Sequence, residues 1–451
     1  MSSMKSFLII GNGAREAIFA TKLSIDSVVY AVMSHPNPTI IDLVSFTGGK
    51  FIVDDINDGN IIADFALKHN IDYVFVNSDN PLANGVIDVL LDKNIKAIGP
   101  SKSGARIEWD KVYSIDVVNK LVPQFCPKYK VINNKSEIDS AINYFAGKDI
   151  VVKPQGLTGG KGVKVMGEHL KDYKQVKEYI DLLLQDNMKI LLCEKLQGFE
   201  FTIMAITDGK DVVFAPATYD YPYRFKNDQG PGTGGMGCFT SNSLTLPFMQ
   251  QVDFDNCCMV IKSVINYFNK QNIHFNGVLN GGFFLTKDGI KFMEFNARFG
   301  DPEAVNVLSL LNSSFSKILE NIYHKNLLEC DIEFINKASV VKYLVSKEYP
   351  NKGKKVEFDF DVNNITKSGI DVYFSAAKRS DSKKDYETVS SSRVVALCCI
   401  AENEVDASNK INQIADDLVI KTGLDYRSDI ADFNEIKRLQ SSSFESKRLI
   451  N

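Results

Sequence analysis

The chain has 451 residues, 44% of them hydrophobic and 24% charged, with 52 basic against 56 acidic side chains and a formal net charge of −4. That length accommodates several domains with substantial cores. The charge balance argues against nucleic acid or a membrane surface as the main partner, and no apolar run reaches the roughly eighteen residues of a membrane span.

The opening stretch, MSSMKSFLIIGNG, carries one lysine and a short apolar run that stops at glycine. It reads as a first strand entering a tight loop, and not as a signal peptide. SFLIIG (6–11), SVVYAVM (27–33), DYVFVN (72–77) and IKAIGP (95–100) are β-branched or aromatic runs, with helix-like IIADFALKHN and LANGVIDVLLDKN between them. This alternation predicts an N-terminal parallel α/β domain over residues 1–103, with ligands bound where the strands end. The first loop, GNGAREA (11–17), lets an anion approach backbone N–H groups at a helix start. It lacks the third glycine of the dinucleotide fingerprint, and residues 30–33 supply no acidic ribose ligand.

A helical passage through Trp109 and Lys111 leads to VVKPQGLTGGKGVKV (151–165). Only three residues separate Gly156 from Gly160, and Gly162 follows Lys161, so the stretch is not a Walker A loop. It predicts instead a strand bearing Lys153 below a glycine flap, Gly156–Gly162, that closes over phosphates. LLCEKLQGFEFTI (191–203) reads as two strands around a short connection. Glu194 there could meet an adenine amine and Glu200 the ribose hydroxyls, although many surface strands carry two glutamates.

After the Gly/Pro-rich loop DYPYRFKNDQGPGTGGMG (220–237) and a helix near 250–270 come the strands GVLNGGFFLT (277–286) and IKFMEFNARF (290–299). On the second, Glu294, Asn296 and Arg298 alternate onto one face. A carboxylate and an amide oxygen two residues apart suit Mg²⁺, and Arg298 can hold a carboxylate or a developing oxyanion. From about 331, ASVVKYLVS, DVYFSAAKR and RVVALCCIA predict a small α+β module with a helix at 405–421. The end, KRLQSSSFESKRLIN, reads as frayed or loosely helical. Eight cysteines without a C-x-x-C and five scattered histidines favour buried apolar thiols in a cytoplasmic protein and disfavour zinc catalysis.

Together these stretches resemble the ATP-grasp superfamily, and within it the phosphoribosylamine–glycine ligases (glycinamide ribonucleotide synthetases). GNGARE, PLANG (81–85), IGPS (98–101), VKPQGLTGGKGV (152–163), GPGTGGMG (230–237) and EFNARFGDPE (294–303) stand in that family's order and spacing, as do RVVALC (393–398) and YRSDI (426–430). The resemblance implies a pre-ATP-grasp domain (1–103), an ATP-grasp region (104–330) with a mobile lid at about 123–193, a C-terminal α+β domain (331–435) and a tail (436–451). It further implies that ATP activates glycine as an acyl phosphate, from which 5-phosphoribosylamine displaces phosphate, as a step of purine biosynthesis.

On the same grounds Lys111, Lys153, Gly159, Gly160, Lys161, Gly162, Glu194, Leu196 and Glu200 would bind ATP. Glu294 and Asn296 would hold Mg²⁺ or Mn²⁺, and Arg298 and Asp220 would be catalytic. Asn12, Gly13, Arg15, Glu16, Asp79, Pro81, Arg224, Gly235 and Asp301 would bind the other substrates, in a monomer or homodimer. The chain departs from the family pattern at Ala14, Ala17, Ser78, Asp79 and Pro222, and Arg224 stands one place late. Those departures gather on the amine side. They leave open the same reaction with Asp79 doing a glutamate's work, or a ligase of the same fold with a different amine or amino acid. A non-catalytic nucleotide-binding relative would have little use for Lys153, Glu294, Asn296 and Arg298.

Overall fold

The computed structural model describes residues 4–145, 147–156, 162–185 and 188–441. In the N-terminal region β1 (Ser6–Ile10), α1 (Ala14–Leu23), β2 (Val28–Met33), β3 (Phe51–Val53), β4 (Tyr73–Val76), α2 (Asp79–Asn84) and β5 (Ala97–Ile98) build one sheet in the order β3-β2-β1-β4-β5. Every pairing in it is parallel. β4 is buried throughout and β1 nearly so, as strands covered on both faces must be, which is why they read as unbroken apolar runs. β3, a three-residue edge strand, is too short to register as a pattern.

The strand order reverses at β1, so the loops after β1 and β4 face each other across a crevice. Gly11 makes that approach possible: its φ is +122°, and a Cβ there would stand 2.8 Å from Ser78 Oγ. The chain then runs through α3 (Lys102–Trp109) and α4 (Lys111–Leu121) into an antiparallel sheet of β6 (Tyr129–Ile132), β7 (Ile150–Pro154), β8 (Lys164–Val165) and β9 (Ile190–Glu194). This sheet has its own apolar core, around Ile132, Ile150, Val152, Ile180, Ile190 and Leu192, separate from the main one. A unit with a private core can move as a body.

β10 (Phe199–Thr207) and β11 (Val212–Phe214) lead through β12 (Tyr219–Asp220), the hairpin β13 (Tyr223–Phe225) with β14 (Gln229–Gly232), and β15 (Gly237–Thr240). α5 (Gln251–Lys270) then precedes β16 (Gly277–Thr286) and β17 (Gly289–Asn296), which complete an antiparallel sheet ordered β11-β10-β16-β17. α5 covers one face of it: a Cβ at Gly281 would stand 3.1 Å from Ile261 Cδ1.

After α6 (Glu303–Leu310) come β18 (Ala338–Val345), β19 (Glu357–Phe358), β20 (Asp371–Phe374), β21 (Ala377–Arg379), β22 (Tyr386–Thr388), β23 (Arg393–Ala401) and α7 (Glu404–Thr422). Their main sheet runs β12-β15-β18-β23-β20, so it borrows two strands from residues 219–240, and the C-terminal sheet extends across the position near 331 where the chain changes character. The chain is helical over Phe433–Ser441, and residues 442–451 of the expected tail lie outside the described residues.

Candidate active site

β17 fixes the first half of the site. Its backbone alternation puts Glu294 and Asn296 on the face away from α5, opposite Gly282 and Asn280 of β16. A Cβ at Gly282 would stand 3.5 Å from Glu294 Cγ, so the missing side chain opens a floor beside the carboxylate. Lys153, on β7, reaches across to donate to the Met293 carbonyl at 3.4 Å. Lys111, at the start of α4, donates to the Gly156 carbonyl at 2.8 Å. Both ammonium groups line one crevice with Glu108 and Glu294. Burial holds the Lys111 ammonium below its usual range; Glu294 opposes that shift and Lys153 adds to it.

Glu200, on the same face of the sheet by the β10–β16 register, has its carboxyl pushed up to about 7 by burial and by Glu294, with Lys153 opposing. Glu194 ends β9, where it accepts from the Lys128 N–H at 2.8 Å and lies 3.6 Å from Lys148 Nζ. Leu196 is half-buried in the connection that follows. The Gly162 carbonyl accepts from Tyr179 Oη at 2.8 Å. Gly159, Gly160 and Lys161 lie outside the described residues.

Arg298, just past the end of β17, is where the second half begins. It pairs with Glu108 at 3.0 Å, and its Nη groups donate to Asn296 Oδ1 at 3.4 Å and to the Phe299 carbonyl at 3.1 Å. Burial works against the guanidinium charge, but Glu108 and Asp79 hold its pKa above the usual range. Arg15 donates to the same Phe299 carbonyl at 3.2 Å, to Ser78 Oγ at 3.1 Å and to Glu16 at 2.7 Å. Glu16 in turn accepts from the Gly13 N–H at 2.8 Å, so the loop after β1 is held by its own side chains. Asn12 accepts from the Ser34 N–H at 2.9 Å. Asp79 and Pro81 sit in α2; burial would raise the Asp79 carboxyl, but Arg298 and Arg15 leave it lowered.

Asp301 closes the group. It accepts from Tyr343 Oη at 2.5 Å and pairs with Arg393 at 3.3 Å, while Arg393 also donates to the carbonyls of Asp301 at 2.7 Å and of Gly234. A Cβ at Gly13 would lie 3.4 Å from Asp301 Oδ2, and one at Gly235 would lie 2.8 Å from Asp220 Oδ1. Burial, Glu303 and Glu200 push the Asp220 carboxyl well up, against Arg393, and its Oδ1 has no hydrogen-bond partner among the described residues.

Residues 5–108 match the description "Phosphoribosylglycinamide synthetase, N domain", and residues 110–304 match "Phosphoribosylglycinamide synthetase, ATP-grasp (A) domain". The chain belongs to the phosphoribosylglycinamide synthetase family. It is 36% identical to the phosphoribosylamine–glycine ligase of Methanobrevibacter smithii, with 94% of this chain and 95% of that one covered. To the phosphoribosylamine–glycine ligase of Pyrococcus furiosus it is 35% identical, with 96% of each covered. Among solved structures, the phosphoribosylamine–glycine ligase of Thermotoga maritima superposes with a TM-score of 0.74 at 21% identity, over 94% of this chain and all of that one. A biotin carboxylase domain from Hydrogenobacter thermophilus superposes with a TM-score of 0.67 at 14% identity, over 92% and 90%, which speaks for a shared ATP-grasp fold alone.

Within that family frame the structure brings together Lys111, Lys153, Glu200, Glu294, Asn296 and Arg298 on one side, and Gly13, Arg15, Glu16, Asp79, Asp220, Gly235 and Asp301 on the other. Arg224 is placed apart. Its side chain is 1% exposed and is committed to Asp425 at 2.7 Å and to the Tyr349 carbonyl at 3.0 Å. Alternation along β13 turns it into the C-terminal module. Sequence reasoning passed over Glu108, Glu303, Tyr343 and Arg393. Glu303 and Arg393 stand inside stretches quoted above, but only the fold shows that RVVALC delivers an arginine to the turn at 301.

Proposed function

We infer that the chain is an ATP-dependent carboxylate–amine ligase that joins glycine to 5-phosphoribosylamine in the cytoplasm, yielding glycinamide ribonucleotide, ADP and phosphate. The observation that carries this reading is the shared Phe299 carbonyl. Arg298, just past the end of the strand bearing Glu294 and Asn296, and Arg15, in the first turn of α1, meet there. Phosphate-handling groups and amine-side loops therefore face one reaction volume.

Glu294 and Asn296 offer a carboxylate and an amide oxygen side by side, a donor set that fits Mg²⁺ completed by phosphate oxygens and water. When bound, such an ion would neutralise charge on the transferred phosphoryl group. Lys111 and Lys153 hold the ATP phosphates, and Glu200 accepts from the ribose hydroxyls, with Glu194 and Leu196 beside the base. Arg298 orients the glycine carboxylate for attack and then steadies the acyl phosphate. Gly13, Arg15, Glu16, Asp79 and Asp301 position the phosphoribosylamine. Asp220, its carboxyl raised by burial and by Glu303 and Glu200, accepts the proton that the amine releases on attack.

Purified protein given MgATP, glycine and phosphoribosylamine should release ADP and phosphate in step with amide. ATP turnover that ignores phosphoribosylamine and responds to another amine would contradict the reading. That second reading, a ligase of the same fold with a different amine, draws support from one observation: Arg224 is buried against Asp425 and unavailable to a ribose phosphate.

A further inference from the structure

β3 is the outer strand of the N-terminal sheet, and its free edge carries no further strand among the described residues. The carbonyl of Lys50, just before it, accepts from the Ala31 N–H at 3.2 Å, and the N–H of Asp54, just after it, donates to the Met33 carbonyl at 2.9 Å. Both residues thus turn their backbone polar groups toward β2. By strand alternation Ile52 does the same, and the N–H and C=O groups of Phe51 and Val53 face outward. Phe51 is 37% exposed and Val53 48%, an apolar pair at the rim of the sheet. Such an edge is a template for another strand.

The stretch KFIVD (50–54) matches itself. Under a twofold axis at Ile52, an antiparallel second copy sets Phe51 opposite the copy's Val53, Ile52 opposite Ile52, and Lys50 opposite Asp54. The outward groups of Phe51 and Val53 then exchange both N–H···O=C bonds at each end, as a hydrogen-bonded antiparallel pair does. Lys50 and Asp54 are exposed, and neither has an ion-pair partner among the described residues. Asp54 Oδ1 accepts from the Asp55 N–H at 2.8 Å, which leaves Oδ2 for an ammonium group. Other registers lose this complementarity. Phe51 opposite itself would set Lys50 against Ile52, and Val53 opposite itself would set Asp54 against Ile52. Shortness and flanking charge guard an edge against indiscriminate pairing; here the charges also select one register.

We propose that β3 is a self-pairing edge, through which two copies of this chain join as a twofold homodimer and their five-stranded N-terminal sheets run on as one. β2 separates β3 from β1 and the loop at its end, so turnover does not depend on the pairing. The inference stands apart from the ligase reading.

Sedimentation velocity on the full-length protein, over a series up to about 100 μM chain, tests it. The wild type should pass from monomer to dimer as concentration rises. Val53→Pro removes an outward N–H and leaves the bonds to β2 in place, so it should stay monomeric with wild-type ATP turnover. Lys50→Asp turns two attractive pairs into repulsive ones and should raise the dimer Kd about 10-fold. Adding Asp54→Lys to it should restore the wild-type Kd, and this swap decides the matter if the proline variant does not fold. A wild type that stays monomeric throughout, a dimer indifferent to Val53→Pro, or a double swap that restores nothing overturns the proposal.

Discussion

The two sides proposed for this site, one for ATP and one for the amine, are built in opposite ways. On the ATP side the working groups project from regular strands. Lys153 comes from β7, Glu200 from β10, and Glu294 and Asn296 from β17, each placed by strand alternation and with few protein partners. On the amine side the groups come from helix starts, turns and a two-residue strand far apart in sequence and are held by each other. Arg15 is locked by Glu16, Ser78 and Phe299, and Asp301 by Tyr343 and Arg393. A long strand gives precision from the backbone alone; groups gathered from separate element ends need cross-bonds to reach the same precision. The amine side should therefore respond to changes outside the residues that touch substrate, and the ATP side should not.

The largest effect expected is on the ATP side. Glu294→Gln replaces the carboxylate of the pair by a neutral amide, and kcat should fall by about 10²–10³-fold or more in a coupled ADP assay. A variant that keeps near-normal turnover would break the comparison at its stronger end. Next, Arg224→Met should cost about 2–3 kcal/mol of stability in chemical denaturation, because it strips a buried guanidinium from Asp425 and leaves the Tyr349 carbonyl unpaired. Its KM for phosphoribosylamine should stay unchanged. A large rise in that KM with intact stability would return Arg224 to the substrate site.

Arg393→Ala sharpens the comparison at a distance. Without the clamp on Gly234 and Asp301, KM for phosphoribosylamine should rise about 10-fold, or roughly 1.4 kcal/mol, with KM for ATP unmoved. The smallest effect concerns the C-terminal module. Lys342 is 0% exposed and among the described residues bonds neutral acceptors, namely Ser408 Oγ, Asn412 Oδ1 and the Ser428 carbonyl. Burial lowers its ammonium to about 7, against Asp429, Asp432 and Asp416, with Lys226 adding to the shift. The unfolded chain keeps this proton to higher pH, so it binds more protons between about pH 7 and 10 and stability should rise with pH there. The slope is at most about 1.4 kcal/mol per pH unit. Denaturation at pH 7, 8 and 9 should show that rise in the wild type and lose it in Lys342→Met.

The same contrast explains what the sequence made legible. Alternation of period two in IKFMEFNARF sets Glu294 and Asn296 on one face without knowledge of any partner strand, and Val151 and Lys153 likewise. The parallel N-terminal sheet was legible for a similar reason, since β1 and β4 are buried on both sides and read as apolar runs. Side chains in very short strands or at a strand's first residue carry no such period. Arg224 and Arg393 look alike in sequence, yet one is spent on Asp425 and the other reaches Asp301, a difference only the fold decides.

The claim that both sides serve one reaction is tested most directly with glycine carrying ¹⁸O in its carboxyl group. Activation by ATP followed by attack of the amine must leave one carboxyl oxygen in the departing phosphate. The account predicts ¹⁸O-labelled phosphate in equal amount to the amide formed when phosphoribosylamine is present. Unlabelled phosphate alongside amide, or labelled phosphate that ignores the amine, would contradict it.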